Sequence, residues 1–178
     1  DVSIREALRD APAGAILTFA PGLSGQTFTL NDTLGSLVVT KDVGLDASSL
    51  QPGGFTLRRT GTNRLLVVNA GVGLSLNHLT LSGPGESTPA SGGGGGIQST
   101  GRLSLNRCRV TSHSALGNGG GIPSSGLPSL RQTTLSQNTA ATGSGGALHV
   151  LSGLARLDAC TLSGNKAADG GGGLFVLK

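Results

Sequence analysis

The sequence has no Trp, Tyr or Met, and it contains only four Phe and two Cys. A core made from such a chain must consist of thin layers of aliphatic side chains, mainly Leu, Val and Ala. Because Met is absent, the chain does not begin at an initiator methionine. We therefore expect a processed product or a portion of a longer protein.

Charge is also scarce. Charged residues make up 12% of the chain, and 13 Lys and Arg against 9 Asp and Glu give a net charge of +4. The cations are dispersed, with Arg58 and Arg59 as the only adjacent pair. Binding of a polyanion such as nucleic acid needs clustered cations, so we expect no nucleic-acid partner. The mild basicity would suit contact with an acidic polysaccharide or an anionic cell surface, but the favoured interpretation is an ordinary solvated surface.

Long apolar runs are missing as well. No stretch of 18 apolar residues occurs, so we expect no transmembrane segment. No signal peptide stands at Asp1, as in a mature exported protein. Glycine is abundant, at 32 residues, but it has no strict three-residue period, which excludes collagen.

What the chain does contain is a repeat. Two apolar residues five positions apart recur in four passes that are spaced 29, 25 and 27 residues apart: Leu76/Leu81, Leu105/Val110, Leu130/Leu135 and Leu157/Leu162. Each pass continues into a glycine run and a further apolar strand. Within a pass the apolar residues alternate with polar ones, as in "LTLS" and "CTLS", which is typical of a β-strand.

A repeat of about 27 residues with two or three short strands cannot bury its own apolar face, whereas stacked repeats can. Glycine runs would break the helices of a helical solenoid, and the pattern is not that of leucine-rich repeats. The sequence therefore predicts an all-β fold, a right-handed parallel β-helix of about six to seven coils. We expect a single domain over residues 1–178, with irregular coils over 14–72 and regular repeats over 73–178.

The N-terminus differs from the repeats. "SIREALRDA" predicts a short helix within residues 1–13, with Ile4, Ala7 and Leu8 on one face and a capping box formed by Ser3 and Glu6. Because the open end of a solenoid exposes core and unpaired strand edge, we expect this helix to cap the first coil.

The segments "SIREAL", "ILTFAPGLSGQTFTL" and "VTKDVGLDA" resemble the start of bacterial surface and secreted β-helix proteins that carry a Cys-Ser-Leu-Arg-Glu-Ala motif. The later "TLSGN…GGG" passes resemble the repeats of the polymorphic outer membrane proteins. The resemblance covers nearly the whole chain and implies export and a place on or outside the cell. Val2 stands where the motif has its leading Cys, so any disulfide made by that Cys is absent here.

Stacking places equivalent residues of successive coils in columns about 4.8 Å apart. One inward column contains Leu79, Cys108, Thr133 and Cys160. Two rungs separate the cysteines, which is too far for a disulfide, and we expect free, buried thiols and no metal site. Asn138 and Asn165 share a corner position that predicts an amide ladder, with His113 one rung earlier. Arg131 and Asp158 predict an exposed ion pair.

Two outward columns of small hydroxyl residues form a candidate binding face. Its members on four rungs are Thr80, Ser82, Arg109, Thr111, Thr134, Ser136, Thr161 and Ser163. Such a face could bind ice or a regular polysaccharide, although Thr and Ser also suit any exposed strand.

The acidic residues are too few for an evident catalytic site. Glycoside hydrolysis needs paired carboxylates, and beyond residue 46 only Glu86, Asp158 and Asp169 occur. We therefore expect a non-enzymatic protein with no catalytic residues and no cofactor. The favoured hypothesis is an extracellular or cell-surface scaffold, structural or adhesin-like, that self-associates end to end through an uncapped C-terminal coil or continues in a longer exported protein. The alternatives are a carbohydrate- or ice-binding module and a fragment of a polysaccharide-active β-helix enzyme.

Overall fold

The computed structural model describes residues 3–83, 85 and 94–177. The chain winds into six stacked coils of short strands, preceded by one helix, α1 (Ile4–Asp10). The strands of the first three coils are β1 (Ala15–Thr18), β2 (Thr27–Leu30), β3 (Leu37–Val39), β4 (Val43–Asp46), β5 (Phe55–Arg59), β6 (Leu66–Val68), β7 (Gly73–Asn77), β8 (Leu79–Ser82) and β9 (Ile97–Ser99).

The last three coils each have a fourth, very short strand. The strands of these coils are β10 (Arg102–Asn106), β11 (Arg109–Thr111), β12 (Ser114–Ala115), β13 (Ile122–Ser124), β14 (Pro128–Arg131), β15 (Thr134–Ser136), β16 (Thr139–Ala140), β17 (Leu148–Val150), β18 (Arg156–Asp158), β19 (Thr161–Ser163), β20 (Lys166–Ala167) and β21 (Leu174–Val176).

Each strand pairs in parallel with its equivalent in the neighbouring coil, which makes three six-stranded sheets. Sheet A has the order β1-β4-β7-β10-β14-β18, sheet B the order β2-β5-β8-β11-β15-β19, and sheet C the order β3-β6-β9-β13-β17-β21. The short strands β12, β16 and β20 form a three-stranded sheet D. The expected parallel β-helix is confirmed, with six coils where six to seven were expected.

The core is a stack of leucine layers between the sheets. In sheet A the inward column is Leu17, Leu45, Leu76, Leu105, Leu130 and Leu157. Those of the four middle rungs are at most 1% exposed. A core without Trp or Tyr is therefore achieved by repetition, since each rung buries the apolar face of the next.

The helix α1 begins as expected. The Ser3 hydroxyl accepts a hydrogen bond from the Glu6 amide at 3.2 Å, and the Ser3 amide donates to the Glu6 carboxylate at 2.9 Å. Leu8 is buried within the core cluster, and Ile4 packs against that cluster. The Arg5 guanidinium donates to the carbonyls of Gly35 and Ser36, both at 2.8 Å, which fixes the helix to the first coil.

The corners between strands use two kinds of geometry. Short 3-10 segments occupy corners of the first two coils, at Pro21–Leu23, Asp32–Leu34 and Ser48–Leu50. In the later coils a single residue with positive φ turns the chain from sheet A into sheet B. These residues are His78, Arg107, Gln132 and Ala159.

Candidate functional site: a hydroxyl face on sheet B

Sheet B presents two files of outward side chains along the solenoid, which we call the hydroxyl face. The first file is Thr27, Thr56, Thr80, Arg109, Thr134 and Thr161. The second file is Thr29, Arg58, Ser82, Thr111, Ser136 and Ser163. All eight residues of the sequence-predicted face therefore stand in the expected register on four adjacent rungs.

The hydroxyl face is longer than the sequence predicted, because β2 and β5 extend both files to six rungs. Sequence alignment missed these rungs because the 3-10 segments Pro21–Leu23 and Ser48–Leu50 lengthen the corners before β2 and β5. The inward residues of the first two coils are then no longer five positions apart. The stretches "QTFTL" and "FTLRRT" do predict short strands, and β2 and β5 lie there, but their register with the later rungs was not predicted.

The face is less exposed than expected. Thr161 and Ser163 on the last rung are exposed, whereas Thr80, Ser82, Thr111 and Thr134 are half-buried. Ser136 is buried, which corrects the expectation of an outward, solvated file, and its hydroxyl donates to the Thr111 hydroxyl at 3.1 Å. The cause is lateral packing, since each hydroxyl residue is flanked by others at the rung spacing of about 4.8 Å.

The two arginines of the hydroxyl face have no acidic partner among the described residues. Arg58 and Arg109 are both exposed, and neither has a hydrogen-bond or ion-pair partner among the described residues. On sheet A, by contrast, Arg102 lies 3.1 Å from Asp42, and Arg131 lies 3.5 Å from Asp158. The expected Arg131–Asp158 pair is thus present, and both of its side chains are exposed to solvent.

A concavity of about 340 Å³ lies where the first file meets the corner between sheets A and B. Its lining includes Thr80, Arg107, Arg109, Gln132 and Thr134. Arg107 sits at a corner φ of 51°, and its Nε donates to the Gln132 side-chain oxygen at 2.9 Å. The corner therefore brings a second guanidinium to the side of Arg109, which sequence reasoning did not foresee.

Two side-chain ladders run along other parts of the stack. The Asn138 amide donates to Asn165 Oδ1 and to the Val110 carbonyl, both at 3.0 Å, which confirms the expected ladder. A second ladder, not foreseen, links Asn106 to Asn77 at 2.8 Å and Asn77 to Asp46 at 2.9 Å on sheet A. The Asn138 ladder lies inside the stack and the Asn106 ladder is half-buried, and both link successive rungs, which is a structural role.

His113 occupies the ladder position one rung before Asn138, as expected, and it is fully buried. Its backbone amide donates to Asn138 Oδ1 at 3.1 Å. Burial, together with the positive charge of Arg59, lowers the pKa of His113 from 6.5 to about 3. A neutral imidazole shut inside the solenoid cannot exchange protons with a substrate at the surface.

The cysteines are free thiols, as expected. Burial raises the pKa of the Cys108 thiol to about 11. Cys160 corrects the expectation of two buried thiols, because it is only half-buried on a rung that stacks against a neighbour on one side. Its Sγ lies 3.4 Å from the Asp158 carbonyl oxygen.

The acidic residues considered for catalysis lie apart in the fold. Asp158 ends β18 on sheet A, Asp169 follows β20, and Glu86 lies outside the described residues. Within residues 3–83, 85 and 94–177, no group of three or more His, Cys, Asp and Glu side chains is placed to hold a metal ion.

Comparison with known proteins gives no relative. A scan against family models, a search of curated proteins and a search of solved structures each found no match for this chain. In the part of the chain that the structure describes, no helix is long and apolar enough to cross a membrane.

Proposed function

We propose that this protein is a non-enzymatic scaffold of the extracellular space or the cell surface, structural or adhesin-like. The observation that carries the proposal is the unbroken register of three six-stranded sheets. At about 4.8 Å per rung, six rungs make a stack about 24 Å long in which sheets A, B and C repeat on every rung. Such a stack is better suited to presenting a repeated surface than to enclosing a substrate in an active site.

The proposed location is supported by the resemblance of "SIREAL" and the "TLSGN…GGG" passes to surface and secreted β-helix proteins. Secretion of a tagged chain in its native cell, measured by protease accessibility, tests this location, and a chain protected from external protease would contradict it.

The proposal includes growth of the stack beyond the sixth rung. Leu157 and Leu162 on that rung are half-buried, whereas Leu130 and Leu135, their equivalents one rung earlier, are 0% exposed. Either further coils or a second copy of the chain would bury these side chains and pair the edges of β18 and β19.

Electron microscopy and sedimentation at rising concentration test end-to-end association. The wild-type chain should form fibres or linear oligomers, and Leu162→Glu should abolish them. Leu151→Glu is the matched control, because Leu151 is 50% exposed and lies outside the inward columns. A strictly monomeric wild-type chain at high concentration would contradict the assembling version of the scaffold.

A second function, carbohydrate or ice binding by the hydroxyl face, is favoured by the extension of both files to six rungs. Arg58 and Arg109 each interrupt one file with a long charged side chain, which breaks the flatness that ice contact requires. Carbohydrate is therefore the better of the two ligands, since hydroxyl and guanidinium groups both hydrogen-bond to sugars.

Paired substitutions test the hydroxyl face. Thr134→Glu with Thr161→Glu should abolish retention on insoluble polysaccharides, because it places bulky charge in the first file. Ser104→Glu with Ser129→Glu makes the same change on the outer side of sheet A and should leave retention unchanged. Equal retention of both double variants would rule out the hydroxyl face as the binding surface.

A further inference from the structure

We propose that the hydroxyl face binds an acidic polysaccharide, and that the corner formed by Arg107 and Arg109 receives its carboxylates. This inference rests on the carbohydrate-binding function proposed above and adds the chemical class of the ligand. It is carried by the distribution of charge over the solenoid and by the shape of the corner.

Charge is segregated between the two adjacent sheets. The six strands of sheet B contain no Asp or Glu, whereas they carry the exposed Arg58 and Arg109. On sheet A, Arg102 and Arg131 each lie beside an acid, Asp42 and Asp158, and Arg156 is the one exposed arginine of its described strands without an ion pair. Sheet B is thus positive without internal compensation, and this is the charge that an anionic partner complements.

Part of this positive charge lines the corner concavity. Arg107 and Arg109 line it together with Thr80, Gln132 and Thr134. Gln132 occupies only the Nε of Arg107, so the terminal amino groups of that guanidinium remain free to donate to a ligand. Guanidinium groups bind carboxylates through paired hydrogen bonds, and the threonine hydroxyls can meet the hydroxyls of the same sugar.

The arginines are also spaced along the axis. Arg58 lies two rungs from Arg109 in the neighbouring file, which is about 10 Å along the stack. A linear chain with a repeated carboxylate can therefore contact both positions while it lies along the face.

A polysaccharide fits this surface better than a nucleic acid. The outward positions of sheet B hold no aromatic side chain on which bases could stack, since Phe28 and Phe55 lie in the inward columns of β2 and β5. Three arginines are also few for a backbone of closely spaced phosphates, whereas the files offer hydroxyl groups on every rung.

The neighbouring rung supplies a conservative test. Gln132 and Thr134 stand one rung along from Arg107 and Arg109, so Arg107→Gln with Arg109→Thr gives the fourth rung the side chains of the fifth. Arg131→Gln with Arg156→Gln also removes two positive charges, but from sheet A, and is the matched control. The probes are oligogalacturonate, its methyl-esterified neutral form and an oligothymidylate of equal charge, with affinities measured by calorimetry.

Wild type should bind oligogalacturonate more tightly than either other probe. The Arg107→Gln/Arg109→Thr variant should lose at least tenfold in affinity, and the control should stay within twofold. An equal loss in both variants, or tighter binding of the oligothymidylate, would overturn the proposal. If the neutral form binds wild type and the arginine variant alike, but fails to bind Thr134→Glu/Thr161→Glu, the hydroxyl face is right and the acidic class is wrong.

Discussion

Individual side chains inside the solenoid show how the repeat accommodates polar groups. Arg59 is 2% exposed, and its guanidinium donates to the carbonyls of Gly61, Asn63 and Ser114. Burial and the nearby positive charge of Arg59 lower the pKa of His113 and keep its imidazole neutral. The next rung has Asn138 in the same position, so the column changes from a titratable residue to an amide within one coil.

This column predicts a pH dependence of stability. The unfolded chain protonates His113 near pH 6.5, whereas the folded chain, in which burial lowers the pKa, does so only near pH 3. The contribution of a neutral His113 to the unfolding free energy is therefore complete above pH 6.5. It is lost as the pH falls towards 3, and the unfolding free energy falls by at most about 1.4 kcal/mol per pH unit. His113→Asn should flatten the fall in unfolding free energy between pH 6.5 and about 4.5, measured by urea titration. An unchanged slope would contradict the assigned environment.

The two thiols should differ in reactivity. The thiolate is the reactive form, and burial raises the pKa of Cys108 to about 11, while Cys160 is half-buried. At about pH 8, below the ordinary thiol pKa, iodoacetamide should modify Cys160 in the folded protein and Cys108 only after unfolding, as followed by mass spectrometry. Cys160→Ser should remove the fast phase. Equal rates of alkylation at Cys160 and Cys108 in the folded protein would contradict the prediction, because they would show that the coil around Cys108 opens to solvent.

At the scale of elements, the glycine runs pack directly against sheet D. A Cβ atom on Gly95, Gly120 or Gly146 would overlap the backbone of Ser114, Thr139 or Lys166, respectively. The same position therefore demands glycine on successive rungs because a neighbouring strand lies too close for any side chain.

This packing predicts a sharp contrast between two glycines. Gly146→Ala should lower the unfolding free energy by about 1–3 kcal/mol, because the added methyl group meets the Lys166 carbonyl oxygen. Gly22→Ala is the control, since a methyl group added there has no neighbouring atom within 4 Å, and it should stay within about 0.5 kcal/mol. Urea midpoints of the two variants measure the difference, and equal midpoints would refute the close approach.

The sequence predicted the elements best where corners have equal length. The five-residue gap between inward residues aligned the last four rungs, and these stand in register as expected. The same gap did not align β2 and β5 with the later rungs, because 3-10 segments lengthen the corners before them. Sheet D escaped prediction because a two-residue strand such as Ser114–Ala115 carries no periodicity.

The candidate site was predicted in the same uneven way. Alternation along each strand placed Thr80, Arg109 and Thr134 on one face, since side chains of a strand alternate between its two sides. The neighbourhood of Arg107 and Arg109 was not predictable, because it depends on a corner residue with positive φ that turns its side chain beside the next strand.

At the scale of the whole molecule, the faces of the solenoid differ in chemistry. Sheet A carries two ion pairs and the Asp46–Asn77–Asn106 ladder, and the glycine runs pack against sheet D. Among the described strands, those of sheet B alone combine two hydroxyl files and exposed arginines with a complete lack of Asp and Glu. A stiff stack of this kind can hold one face towards a ligand chain while other faces serve the fold.

Amide chemical-shift mapping of the labelled protein with oligogalacturonate tests most directly whether the hydroxyl face binds an acidic polysaccharide. We predict that the shifted resonances follow β8, β11 and β15 and the Arg107 and Gln132 corners, with sheet A unaffected. Shifts centred on the outer side of sheet A, around Ser75 and Ser104, or the absence of any shift at millimolar ligand, would contradict the assignment of the hydroxyl face as the contact surface.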